Sequence, residues 1–363
     1  MMQNKLAWGV VGSCGIARRR TIPEGIVTAS NARLVGVFDT HQEGNSEVAQ
    51  TFGATAFPSL EALLAAEIEA IYIATPVYLH HEHVACCVRA GKHVLCEKPL
   101  AMSTAEGRDM VALARACKVH LGLAFMMRFH SQHQEALKII QSGKLGKPVY
   151  GRAQLSCWYP PLASAWRQDP GKGGGGSLVD MGVHCIDLLE MFFGPVASVT
   201  CHIANLVQDY RSEDSAVATL VFKNGAFGTV DTFFCIPDEG SQNVLELYGS
   251  EGSILAKGTI GQGSVGEMFF YSPQRGDGYD VRQARDAGKG IKLSPPPVNM
   301  YRAEIEEFSQ AVLDGGKSAL NAAEGLRSQR ILEACYESAR TAKTVGIEAQ
   351  PADENLRLSP TGR

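Results

Sequence analysis

Over the first 125 residues, short runs of Val, Ile, Leu and Ala alternate with stretches of helical periodicity. Leu6 to Val11, Leu34 to Phe38, Ala70 to Ala74, His93 to Cys96 and Val119 to Ala124 read as strands. Their near-continuous apolar character suits strands covered on both faces. Between them Glu43 to Phe52, Ser59 to Ala66, Leu79 to Ala90 and Thr104 to Cys117 read as helices, and Gly91 stops the third. Strand and helix in repeated alternation predict an α/β domain built on a doubly wound parallel sheet.

The texture changes after Arg128. A helix is predicted near Gln134 to Ser142, then strands at Val149 to Trp158, Ala197 to Ile203, Ala216 to Phe222, Ala226 to Phe234, Val244 to Tyr248 and Ser253 to Ala256. Asn224-Gly225 lies between two of these runs and predicts a tight hairpin, because both residue types accept positive φ. Two helices, Met300 to Leu313 and Ala322 to Ala342, follow the Ser294-Pro295-Pro296-Pro297 linker. The second half is therefore α+β with a largely antiparallel sheet. The division expected is residues 1–127 for the first domain, 128–350 for the second, and a frayed tail over 351–363.

Composition narrows the functional classes. The 363 residues carry 34 basic and 38 acidic side chains, a formal charge of −4, so no broad basic surface attracts nucleic acid or anionic lipid. Ten cysteines fall far short of a disulfide scaffold. They sit in apolar runs such as Ala85-Cys86-Cys87-Val88 without a C-x-x-C pair, as expected of reduced thiols in a cytoplasmic protein. Neither a signal peptide nor a membrane span is legible.

Chemistry enters at the end of the first strand. Gly9-Val10-Val11-Gly12-Ser13-Cys14-Gly15-Ile16-Ala17 approximates the dinucleotide pattern G-x-G-x-x-G/A, with Cys14 where the middle glycine stands. That position normally lacks a side chain so that backbone approaches pyrophosphate, so Cys14 must turn aside. By itself the fragment reads equally as a simple glycine turn. Asp39, at the end of the second strand, adds the ribose-binding acid expected about 20 residues on, and a carboxylate there favours NAD over NADP. Arg18, Arg19 and Arg20 form either a solvated face or a 2′-phosphate site.

The strand ending in Cys96-Glu97-Lys98-Pro99-Leu100-Ala101 places Lys98 at the crevice edge of a parallel sheet. There it is either a donor to a substrate oxygen or a solvated lysine, and Pro99 is a candidate cis residue. After Gly173 to Gly176, Ser177 and Asp180 resemble a capping box, and Gly194-Pro195 stops the helix they would open. Asp180, His184 and Asp187 share one stripe of this otherwise apolar helix. Buried ionisable groups need partners or a wet cleft; the rival reading makes Asp180 a cap and His184 a core histidine. Proximity to a helix amino terminus favours a neutral His184, poised as a base. Trp158, Tyr159 and Trp166 are either an aromatic wall for a sugar ring or core aromatics. His80, His81 and His83 lack the H-E-x-x-H order of a metal helix, and no metal is expected.

Taken together, the E-K-P-L-A segment at 97–101, the D-x-x-x-H pair Asp180 and His184, Thr75-Pro76 followed by His80, and Trp166-Arg167 resemble the Gfo/Idh/MocA family of NAD(P)-dependent dehydrogenases. The likeness runs over about residues 5 to 348. It implies an N-terminal Rossmann domain, and a C-terminal domain whose open-faced sheet mediates a homodimer or homotetramer. It also implies catalysis by Lys98, Asp180 and His184. The NAD site would comprise Gly12, Ser13, Cys14, Gly15, Ile16, Ala17, Asp39, Thr40, Thr75, Pro76, His80, Glu97 and Lys98, and Arg128, Trp166 and Arg167 would join the catalytic residues around substrate. The implied activity is hydride transfer between NAD(H) and a secondary hydroxyl or ketone of a sugar, glycoside or cyclic polyol. Rival readings are an NAD-dependent glycosidase working by transient C3 oxidation and elimination, and a non-catalytic sugar or dinucleotide sensor.

Overall fold

The computed structural model describes residues 5–272 and 289–347; the tail expected over 351–363 lies outside them. Six parallel strands form the first sheet: β1 (Leu6–Val11), β2 (Ala32–Phe38), β3 (Thr55–Ala56), β4 (Ala70–Ile73), β5 (His93–Glu97) and β6 (Leu121–Ala124). Their order, β3-β2-β1-β4-β5-β6, reverses between β1 and β4, and this switch point opens a crevice at the carboxyl ends of the strands. β1 and β4 are buried throughout, which explains their uninterrupted apolar sequence.

Nine strands form the second sheet: β7 (Pro148–Ser156), β8 (Val196–Ala204), β9 (Ser215–Phe222), β10 (Phe227–Phe233), β11 (Val244–Gly249), β12 (Ser253–Lys257), β13 (Glu267–Tyr271), β14 (Ile291–Lys292) and β15 (Val345–Gly346). The order is β14-β13-β12-β11-β7-β10-β9-β8-β15. Only β7 and β10 run parallel; every other pairing is antiparallel. Sequence reasoning missed β13, β14 and β15, two of which have only two residues and owe their form to the neighbouring edge. The helices Val183–Phe193 and Ala322–Thr341 pack on one face of this sheet. The other face carries Tyr150, Arg152 and Gln154 in register with Phe227, Thr229 and Asp231, and Tyr248 opposite Tyr150.

One local expectation is corrected. The β9–β10 turn is not a two-residue turn with both central residues at positive φ. Gly225 alone has positive φ, 89°, and its N–H bonds to the Phe222 carbonyl. Asn224 instead holds the loop through its side chain, accepting from the Ala226 N–H and donating to the Phe193 carbonyl. The chain also returns on itself: the helix Met300–Leu313 packs on the first helix, Ser13–Ile26, rather than on the second sheet that precedes it. Trp8 Nε1 of β1 donates to Ser309 Oγ at 3.0 Å and its ring meets Phe308 at 5.6 Å, an aromatic contact adding about 1 kcal/mol to burial. This return brings a C-terminal helix to the crevice.

Among the described residues no helix is long and apolar enough to cross a membrane, and all ten cysteines are free.

Candidate active site

β1 ends at Gly12, whose φ of 84° and close approach to β4 admit no side chain. A Cβ there would lie 2.7 Å from the Ala74 carbonyl carbon. The loop then turns its side chains away from the crevice. Ser13 Oγ is buried and donates to Asn45 Oδ1 at 2.9 Å, and Cys14 Sγ lies 3.9 Å from the His41 carbonyl. Cys14 thus turns aside, as its place in the motif demands. Ala17 is packed in the core. Gly15 and Ile16 line the crevice, and a Cβ on Gly15 would find no neighbour nearer than 4.0 Å. Asp39 accepts from the Cys14 N–H at 3.0 Å and the His41 N–H at 2.9 Å, and its oxygens keep lone pairs for further donors. A backbone surface free of side chains beside an acid fits a dinucleotide. Among the described residues no group of three or more His, Cys, Asp or Glu side chains is placed to hold a metal.

β4 and β5 deliver the next side chains. Thr75 and His80 line the crevice. The buried His80 ring bridges the two strand ends, with Nδ1 3.0 Å from the Pro99 carbonyl and Nε2 2.9 Å from that of Thr75. Burial lowers its pKa to about 4 despite both carbonyls. Thr40 is exposed and Pro76 caps the short turn Val77–Leu79; neither lines the crevice. Glu97 accepts from Tyr72 Oη at 2.6 Å and from the Lys98 N–H at 3.3 Å. The Lys98–Pro99 bond is cis.

From the second domain, the wide turn Leu178–Gly182 and the helix Val183–Phe193 present Asp180 and His184. Ser177 is no cap: its Oγ donates to the Thr232 carbonyl. The buried Glu213 carboxylate instead receives the Gly176 and Leu178 N–H groups at 2.8 and 3.1 Å. Asp180 is thereby free for the crevice. Lys98 Nζ reaches its Oδ1 at 2.9 Å and its carbonyl at 2.6 Å, and Arg167 Nε reaches Oδ1 at 3.0 Å. Burial opposes ionisation of Asp180, but these two cations outweigh it and hold the carboxyl well below the usual range. His184 is 7% exposed, and its Nδ1 has no partner. Burial first, then the Lys98 ammonium, lowers its pKa well below 6.5, against the pull of Asp180.

Together these groups surround a cleft of about 500 Å³. Trp166 and Tyr159 line it, with the Arg167 guanidinium 4.2 Å from the Trp166 ring. Trp158 lies outside and is half exposed. Arg128, expected at the substrate, does not line the cleft: its guanidinium is spanned by Asp187 at 2.8 and 3.0 Å and by Glu324 at 3.2 Å. Asp187 is accordingly its structural partner. Of the three arginines, Arg18 pairs with Glu47 and Arg20 with Glu24, and only Arg19 lines the cleft. Cleft residues that sequence reasoning missed include Cys157, Gln262, Tyr301 and Glu304. A signal existed for Glu304: it interrupts the apolar stripe of Met300, Ile305 and Phe308.

A Rossmann sheet joined to an α/β domain, with lysine, aspartate and histidine meeting over the crevice, defines an oxidoreductase class. Residues 6–125 match the family described as "Oxidoreductase family, NAD-binding Rossmann fold", and residues 138–347 match its "C-terminal alpha/beta domain". The chain belongs to the Gfo/Idh/MocA oxidoreductase family, and is an NAD(P)-dependent enzyme of the dehydrogenase and reductase type acting on CH–OH groups. It is similar to 1,5-anhydro-D-fructose reductase of Ensifer adhaerens, 28% identical over 94% of this chain and 98% of that one. It is similar also to D-xylose 1-dehydrogenase (NADP(+)) 2 of Haloferax volcanii, 29% identical over 94% and 100%. The solved structure of levoglucosan dehydrogenase with NADH and L-sorbose shares the fold, with TM-score 0.83 at 22% identity over 95% and 99%.

Proposed function

We propose that the protein interconverts a secondary alcohol and a ketone on a sugar or cyclic polyol, using NAD(H) in preference to NADP(H). The observation that carries this reading is the meeting of Lys98, Asp180 and His184 in one cleft at the carboxyl edge of the first sheet. NAD, when bound, supplies the acceptor or donor of hydride. The chain supplies proton management and alignment. His184, held neutral, takes the hydroxyl proton as the alcohol is oxidised and returns it to the oxygen in the reverse direction. Lys98 donates to the same oxygen and stabilises its developing negative charge. Asp180, pinned by Lys98 and Arg167, fixes the ammonium in place, and the Trp166–Arg167 stack offers a flat wall with a donor edge to a polyhydroxylated ring.

Asp39 supports NAD. Its carboxylate stands beside the loop that would carry the ribose and would repel a 2′-phosphate there, while Arg18 and Arg20 are engaged by glutamates. The names of the relatives, a sugar reductase and a sugar dehydrogenase, support a carbohydrate substrate. The uncovered face of the second sheet, with Val217 and Phe227 exposed, supports association of two or more copies, which sedimentation checks directly.

The deciding experiment incubates the protein with NAD or NADP and a panel of monosaccharides, inositols, anhydrosugars and glycosides, following reduced nicotinamide by absorbance and the products by mass. A ketone two hydrogens lighter than the substrate is the expected product. Failure of every polyol and sugar, with turnover of a non-carbohydrate alcohol, would remove the substrate class.

A further inference from the structure

The helix Met300–Leu313 brings to the cleft a glutamate that the chemistry above does not use. Glu304 is completely buried, yet it lines the cleft. Neither of its carboxyl oxygens has a hydrogen-bond partner. Leaving such atoms unsatisfied costs about 1–3 kcal/mol each, so a group from outside the chain is the natural complement.

The protonation state follows from its neighbour. Glu97 belongs to the same cleft, and the donors are on its side: the Tyr72 hydroxyl at 2.6 Å and the Lys98 N–H at 3.3 Å. Two adjacent buried carboxyls do not both ionise. Glu97, with donors, is the member that carries charge, and Glu304, with none, keeps its proton. Burial and then the Glu97 charge push Glu304 well above the usual carboxyl range. A neutral carboxyl presents one O–H donor and one C=O acceptor side by side. That is the complement of a primary carboxamide, which offers an N–H and a C=O in the same spacing.

Its place in the fold agrees. The first turn of its helix lies against the first helix, where a Cβ on Gly25 would stand 3.1 Å from the Tyr301 carbonyl oxygen. Glu304 therefore shares one cleft with Gly15 and Ile16 of the glycine loop, which suits pyrophosphate, and with Lys98 and His184, where a reacting ring must lie. We propose that the Glu304 carboxyl pairs with the nicotinamide carboxamide through two hydrogen bonds, and so fixes which face and edge of the ring meet Lys98 and His184. This rests on the NAD(P) reading above and makes Glu304 a cofactor-positioning residue.

The test is calorimetric binding of NAD, of ADP-ribose, which lacks the ring, and of 3-acetylpyridine adenine dinucleotide, which lacks the amide N–H. Glu304→Leu should weaken NAD about 10- to 100-fold and leave ADP-ribose within about threefold. Glu304→Gln, which keeps a donor and an acceptor, should bind NAD within about fivefold of wild type. Wild type should prefer NAD over the acetylpyridine analogue, and Glu304→Leu should lose that preference. Equal weakening of NAD and ADP-ribose by Glu304→Leu, or no weakening of either, would overturn the proposal.

A second measurement does not depend on Glu304→Leu folding. The infrared C=O band of a protonated carboxyl, present in wild type and lost in Glu304→Gln, should shift when NAD binds and stay put with ADP-ribose. An unshifted band under NAD, as a water-filled pocket would give, overturns the pairing. Wild type that binds ADP-ribose and NAD while the Glu304 results fail leaves the cofactor reading standing; wild type that binds neither brings down both.

Discussion

Replacing Lys98 by methionine tests the proposed chemistry through two independent readouts. The side chain is 12% exposed and holds Asp180 at 2.9 Å, and methionine keeps the apolar stem while deleting the charge. Asp180 does not become an unpaired buried anion, because Arg167 remains at 3.0 Å and the Asp180 side chain is 27% exposed. The stability loss should therefore stay below the roughly 3–5 kcal/mol of a broken buried pair, and the variant should fold. Turnover should fall about 100- to 1000-fold, the 3–4 kcal/mol typical of losing one donor aimed at a developing oxyanion.

The second consequence concerns His184. Burial and the Lys98 ammonium depress its pKa while Asp180 raises it. Removing the ammonium leaves burial opposed by a carboxylate, so the His184 pKa moves upward. In Lys98→Met the acid limb of the oxidation profile should shift to higher pH, because a general base works only when unprotonated. Initial rates over roughly pH 5 to 9, histidine ring signals by NMR and NAD affinity by calorimetry together make the assay. Turnover within threefold of wild type, or a His184 signal that titrates as in wild type, refutes the reasoning.

Four further outcomes are expected. His184→Ala should lose about 100- to 10,000-fold in turnover with NAD affinity nearly unchanged. Wild-type oxidation should be flat above about pH 6.5, since the folded-state pKa lies below the free value; a profile that keeps climbing through neutrality contradicts this. Asp39→Ser should move the NADP-to-NAD affinity ratio about tenfold or more towards NADP, measured by titration of both; an unmoved ratio confines Asp39 to holding the Cys14 and His41 amides. Arg128→Gln strands Asp187, whose side chain is 4% exposed, and should cost about 3–5 kcal/mol of unfolding free energy in a denaturant titration. A variant as stable as wild type, but with a raised KM, would return Arg128 to the substrate.

Much of this protein was legible in the chain itself. Strands such as Leu6–Val11 and Ala70–Ile73 are buried on both faces, so an uninterrupted apolar run suffices to announce them. Met300–Leu313 and Ala322–Thr341 follow from an apolar period near 3.6, and both are closed at the start by asparagine. Gly12 was legible because only glycine tolerates a positive φ pressed against a neighbouring backbone. Lys98, Asp180 and His184 stood out as ionisable residues at the ends of apolar elements, where burial needs a reason.

Tertiary structure decided what each polar group faces. Asp180 and Asp187 lie seven residues apart on one helical stretch, yet one meets Lys98 in the cleft and the other Arg128 in the core. Ser177 and Asp180 had the spacing of a cap, but Glu213, distant in sequence, satisfied those amides and released Asp180. Short edge strands such as β14 and β15 form only because a partner edge offers hydrogen bonds. Glu304 is the sharpest case: a charged letter in an apolar stripe becomes an orphaned carboxyl in the cleft once the chain doubles back. Periodicity reports which face of an element is buried, because burial repeats with the element's own geometry. It is silent on the partner, because the partner arrives from elsewhere in the chain.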